Sequence, residues 1–158
     1  MVFLLYCFVS LFVYVYFMKY QQKHLHWLEI IFYWCVASLL IQIRSAIFTM
    51  NMKNVVIPQS IMFEFSHVLI RLVLYPLVTL FYLNEISAAA SKIKKTGVII
   101  KYSVFLLGLE WVSDWLGVFN HTNPYLLGSG VFWLGYLMLM LIIMKVFHSK
   151  FYKGYHKP

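Results

Sequence analysis

The chain has 158 residues, 63% of them hydrophobic and 11% charged. A soluble domain is about 45 to 50% apolar and about 25% charged, so this composition excludes one and leaves a surface that must face lipid. The net charge of +8 would point to nucleic acid in a soluble protein, but here the lysines cluster between and after apolar runs. It is therefore a topology signal, and no nucleic-acid partner is expected.

Five apolar segments follow in chain order, at about 1–18, 27–48, 61–83, 98–118 and 130–147. Each approaches or exceeds the ~20 residues a helix needs to cross ~30 Å of hydrocarbon. The expected fold is an all-α polytopic membrane helix bundle with five transmembrane helices, one integral domain over residues 1–158 with no room for a separate soluble one. The first segment has no charge before it and no small-residue cleavage site after it, so it reads as an uncleaved span. The two cysteines, Cys7 and Cys35, show no metal or redox spacing and read as lone thiols packing like small apolar groups.

Ten basic residues (Lys19, Lys23, Lys92, Lys94, Lys95, Lys101, Lys145, Lys150, Lys153 and Lys157) fall on one side of the membrane, against Arg44 and Lys53 on the other. Positive charge stays cytoplasmic, which places the N-terminus outside and the C-terminus inside. The third loop, EISAAASKIKKTG, reads as a helical extension of the third span with Gly97 as its stop. Its lysines serve topology first and anionic lipid second. Gly128, Gly130 and Gly135 open the last span and allow close helix approach.

Charged side chains within a span are penalised by roughly 2.5 to 3.5 kcal/mol on the mild insertion scale and mark protein-facing or functional positions. The third span carries Glu64, His67, Arg71 and Tyr75 at spacings of three and four, on one helical face. The fourth carries Glu110, Ser113 and Asp114, with Trp111 and Trp115 on a second stripe facing lipid or a neighbouring helix. The second adds Arg44, and the fourth loop His121. From the topology, these groups converge on one outward-facing zone, while the inner halves of the helices hold little of the kind. Arg71 is the expected partner of Glu110, with Arg44 paired to Glu64 or Asp114 and with His67 and Asp114 lining the entrance. Pro76 removes a backbone donor and should kink the third span, freeing the Leu72 carbonyl.

Three readings of the zone compete. It is a set of ion pairs that fixes packing, a hydrated pocket for a small polar ligand, ion or lipid headgroup, or a metal enzyme. For the last, Glu64-x-x-His67 has the spacing of carboxylate-bridged metal bundles, with Glu110, Asp114 and His121 to complete a site. A second Glu-x-x-His is missing, and so are the zincin, nucleophile-elbow and phosphate-loop motifs; no cofactor, metal or catalytic residue is therefore expected. His24, His26, His148 and His156 read as interfacial groups that tune surface charge. Asn120-His-Thr122 matches a glycosylation sequon on three residues only.

His67, Pro76, Leu80-Phe-Tyr-Leu83, Glu110-Trp-Val-Ser113, Leu116-Gly117 and His121 together form a pattern, spread over the second half of the chain. It resembles that of a family of small, uncharacterised multi-pass membrane proteins of spore-forming Gram-positive bacteria. The resemblance implies a bacterial cytoplasmic membrane and a compact helical domain, and it supplies no reaction. The partners to expect are the lipid bilayer and either another membrane protein or a second copy of the chain.

Overall fold

The computed structural model describes residues 2–19, 24–47, 55–56, 58, 60–118, 120–121 and 126–151. Lys23, Lys53, Thr122, Asn123, Lys153, His156 and Lys157 lie outside them. Five spans are present, as the apolar runs require: α1 (Val2–Lys19), α2 (Trp27–Ala46), a third span of three parts, α5 (Lys92–Trp115) and α6 (Leu126–Phe151). The third span comprises α3 (Ile61–Leu69), a π-helical segment (Ile70–Leu74) and α4 (Tyr75–Ala88). All five are long and apolar enough to cross a membrane, which makes this a multi-pass membrane protein. Between spans, β1 (Val55–Val56) pairs antiparallel with β2 (Asn120–His121), with Val55 opposite His121.

The third span is the hub. Every residue from Leu74 to Leu80 is buried, and α1, α2, α5 and α6 all pack against α4. A helix buried all round must satisfy its few polar groups within the protein. Thr79 Oγ donates to the Tyr75 carbonyl at 2.9 Å, which leaves the Tyr136 hydroxyl of α6 to donate to Thr79 Oγ at 2.8 Å. Tyr82 likewise donates to the Leu137 carbonyl at 3.1 Å. Around this hub, α2 buries Tyr33, Ala37 and Ile41, α5 buries Val98, Tyr102, Leu106 and Glu110, and α6 buries Trp133, Leu137 and Met144. Those residues recur every three to four positions, the stripe expected of a helix with one protein-facing side. By contrast, α1 presents Leu4, Phe8, Leu11 and Phe12 outward.

Two expectations about local structure, for the third loop and for Cys35, are corrected, and two others take a specific form. The lysine-rich third loop does not extend the third span with Gly97 as its stop. The chain breaks at Ala89, and α5 starts at Lys92 and runs through Gly97, because the Ser91 hydroxyl caps it by accepting from Lys94 N at 3.2 Å. Pro76 is absorbed in the first turn of α4, and the turn before it widens into the π segment, closed by Tyr75 N–H on the Ile70 carbonyl. Of the cysteines, both free, Cys7 is half-buried and Cys35 is exposed on the lipid-facing surface of α2 rather than packed inside. Gly130 and Gly135 mark no crowded helix approach, since a methyl on Gly130 would meet Leu107 Cδ1 at 3.8 Å and one on Gly135 would meet nothing.

Candidate functional site: a buried carboxylate beside two arginines

Glu110 projects from the protein-facing stripe of α5 and is 5% exposed. A carboxylate there must be matched by donors, and three converge on it. Arg44 of α2 places Nη2 2.5 Å from Oε1, Ser129 Oγ of α6 donates to the same oxygen at 3.1 Å, and Trp133 Nε1 donates to Oε2 at 2.6 Å. Arg44 also reaches Ser129 Oγ at 3.4 Å. Its guanidinium carbon lies 4.4 Å from the Phe132 ring centroid and 4.6 Å from that of Trp133, so two π faces add to the stabilisation of the cation. One carboxylate thus ties together α2, α5 and α6.

The ring of Tyr75 packs on Trp133 with centroids 5.0 Å apart, and the Tyr75 hydroxyl is buried with no hydrogen-bond partner among the described residues. From the α1 side, Tyr6 donates to Ser113 Oγ at 2.8 Å, the Ser113 proton being given to the Leu109 carbonyl at 2.7 Å. Trp133 and Ser129 are the partners that sequence reasoning missed. A tryptophan deep in an apolar span is a signal, since its N–H needs an acceptor once buried; Ser129 was hidden among the glycines.

Arg71 stands apart from this lock. The expected Arg71–Glu110 pair does not form: Glu110 takes Arg44, and Arg71 Nη1 donates to Ser45 Oγ at 2.6 Å while Nε reaches the His67 carbonyl at 3.4 Å. The reason is azimuthal. The π segment that carries Arg71 packs against α1 and α2, and α5 meets the third span along α4. No carboxylate among the described residues is paired with Arg71. Ser45 immediately follows Arg44, so two guanidiniums stand near the end of helix α2, Arg44 on Glu110 and Arg71 on the Ser45 hydroxyl. The Arg71 side chain reaches back along its helix toward His67, the direction in which helical side chains lean and long cations snorkel.

Other candidates distribute as follows. His67 is buried one turn from Arg71, but Glu64 is exposed; seven residues before Arg71, it stands about 10 Å nearer the start of α3. Arg44 pairs with Glu110 rather than with the exposed Glu64, and Asp114 is half-buried. His121 lies in β2, its backbone opposite Val55 and its side chain outside the described set. Trp111 and Trp115 point outward, 64% and 79% exposed, as their stripe implies. Among the described residues no three His, Cys, Asp or Glu side chains come together to hold a metal ion, which leaves the Glu64-x-x-His67 spacing without a site.

The opposite end of the bundle is also more polar than expected. Glu29, 3% exposed, accepts from His26 N at 2.7 Å and lies 2.6 Å from His148 Nε2 of α6, close enough for an ion pair when the imidazole is protonated. His26 in turn caps α2 by accepting from Leu28 N at 3.3 Å. His24 N donates to Asn84 Oδ1 at 2.7 Å, and Glu85 takes both Lys101 and Tyr102, each at 2.8 Å. His26 thus caps α2 and His148 joins α6 to α2, instead of merely tuning surface charge.

No family model, curated protein or solved structure matches this chain. Its geometry alone bears on what it does.

Proposed function

We propose that this chain is a multi-pass protein of the bacterial cytoplasmic membrane, N-terminus outside and C-terminus inside, that recognises an anionic group, carboxylate or phosphate, at the outer membrane face. Arg71 is the receptor, assisted by Ser45 and His67, and Arg44–Glu110–Trp133 is the rigid frame beside it. The observation that carries this reading is that Arg71 is half-buried with only neutral oxygens for partners among the described residues. A guanidinium inside a span is costly unless something negative meets it, and its planar fork suits the two oxygens of a carboxylate or phosphate. The lysine distribution and the family resemblance support the orientation and the bacterial membrane.

The ion-paired structural reading applies to Glu110, whose two oxygens are already occupied by Arg44, Ser129 and Trp133. The experiment holds the protein in phosphatidylcholine nanodiscs and titrates glycerol phosphate from the aqueous side, then repeats the unfolding measurement in nanodiscs doped with phosphatidylglycerol. Stabilisation by the soluble probe alone identifies a small-molecule site, stabilisation by the doped bilayer alone a headgroup site, and stabilisation by neither refutes recognition of phosphate.

A further inference from the structure

We propose a second, independent site at the opposite end of the bundle: a groove that holds one acyl chain of an anionic phospholipid from the leaflet on the lysine-rich side. Between α1, α4 and α5 runs an apolar groove of about 410 Å³, lined by Val9 and Val13, Val78 and Phe81, Val104 and Phe105. That volume falls within the ~300 to 1,000 Å³ of ligand clefts. Helices α1 and α5 are joined at one end by Tyr6 and Ser113, and the groove opens between them toward the other, from Leu109 to Lys101. That stretch of α5 spans about 12 Å, close to one leaflet's share of the ~30 Å hydrocarbon core.

The groove does not end in lipid-like surface. Lys101 closes it and also lines an adjoining cavity of about 390 Å³ with Glu85, Lys94 and Gly97. One residue therefore separates a place for an alkyl chain from a place for a headgroup. Lys101 is fixed there by both Glu85 oxygens, at 3.0 and 2.8 Å, and by the Tyr102 ring at 5.0 Å. Glu85 offsets one cation, Lys94 lines the same cavity, and Lys92 and Lys95 stand with it in the first turn of α5. Cations oppose the dipole at a helix start, while an anion is favoured there. A phosphate outside that turn reconciles the lysines with their position, so charge complementarity selects an anionic lipid over a zwitterionic one.

Native mass spectrometry of protein released from nanodiscs of equal phosphatidylglycerol and phosphatidylcholine tests this. The wild type should retain phosphatidylglycerol preferentially. Lys101→Gln should cut that retention about fivefold, the size of one basic residue's attraction to an anionic surface. Val104→Trp, which fills the groove from an exposed position without touching any ion pair, should cut it as much, and Trp111→Phe, exposed on α5 outside the groove, should leave it intact. Equal retention of both lipids, or unchanged retention in Lys101→Gln and Val104→Trp, would overturn the proposal. So would loss in Arg71→Gln alone, which would assign the lipid to the other end and leave the Arg71 reading standing.

Discussion

Replacing Glu110 by Gln keeps the shape of the side chain and removes its charge. The consequence depends on which effect dominates. If the carboxylate acts only as polar glue between membrane helices, its contacts are each worth about 0.6 kcal/mol and the loss should be about 1 to 2 kcal/mol. Orphaning a buried cation costs more, about 3 to 5 kcal/mol when one partner of a buried pair is removed. Arg44 has a side chain 11% exposed, at the end of α2, and keeps its two aromatic faces, which retain roughly 0.5 to 2 kcal/mol of that.

The net expectation for Glu110→Gln is a loss of about 1 to 4.5 kcal/mol. Denaturant unfolding in detergent micelles, followed by tryptophan fluorescence, reads it. Adding Arg44→Gln removes the orphaned charge and should restore at least half of the loss, whereas adding Arg71→Gln should simply add its own effect, because Arg71 does not touch Glu110. A loss below about 0.5 kcal/mol for Glu110→Gln, or rescue by Arg71→Gln in place of Arg44→Gln, would refute the pairing and the charge argument together.

Trp133→Phe keeps the aromatic packing but removes the donor to Glu110 Oε2, and should cost about 1.5 to 3 kcal/mol in the same unfolding assay. Tyr75→Phe removes a buried hydroxyl with no partner among the described residues and should be neutral or stabilising by up to about 1 kcal/mol; a loss above that would show that the hydroxyl is engaged. A cysteine introduced at Thr122 should react with an impermeant thiol reagent in intact cells, and labelling only after the cytoplasmic side is opened would reverse the proposed orientation.

Much of this fold is legible in the sequence because lipid imposes two strong constraints, an apolar run of sufficient length and a helix that satisfies its own backbone. The five spans follow directly, and so does the outward stripe of Trp111 and Trp115. Pair identities do not follow, because spacing gives azimuth within one helix and says nothing of which neighbour that azimuth meets. Arg71 and Glu110 were matched by depth, but α2 lies against the π segment and α6 against α5, so Ser45 and Trp133 became their partners. The π segment itself is invisible to a 3.6-residue period. Glu29 was overlooked because a carboxylate in the first turn of a helix normally reads as a solvated cap. Its burial arises from α6 running on to His148, a contact across 119 residues of sequence that no local pattern encodes.

The measurement closest to the central claim compares wild type and Arg71→Gln for stabilisation by glycerol phosphate in phosphatidylcholine nanodiscs. A ligand that binds only the folded state adds about 2.7 kcal/mol at a hundredfold excess over Kd. The account predicts that gain in the wild type and none in Arg71→Gln, with Glu110→Gln losing stability but keeping the ligand-dependent increment. Equal stabilisation of wild type and Arg71→Gln would contradict it.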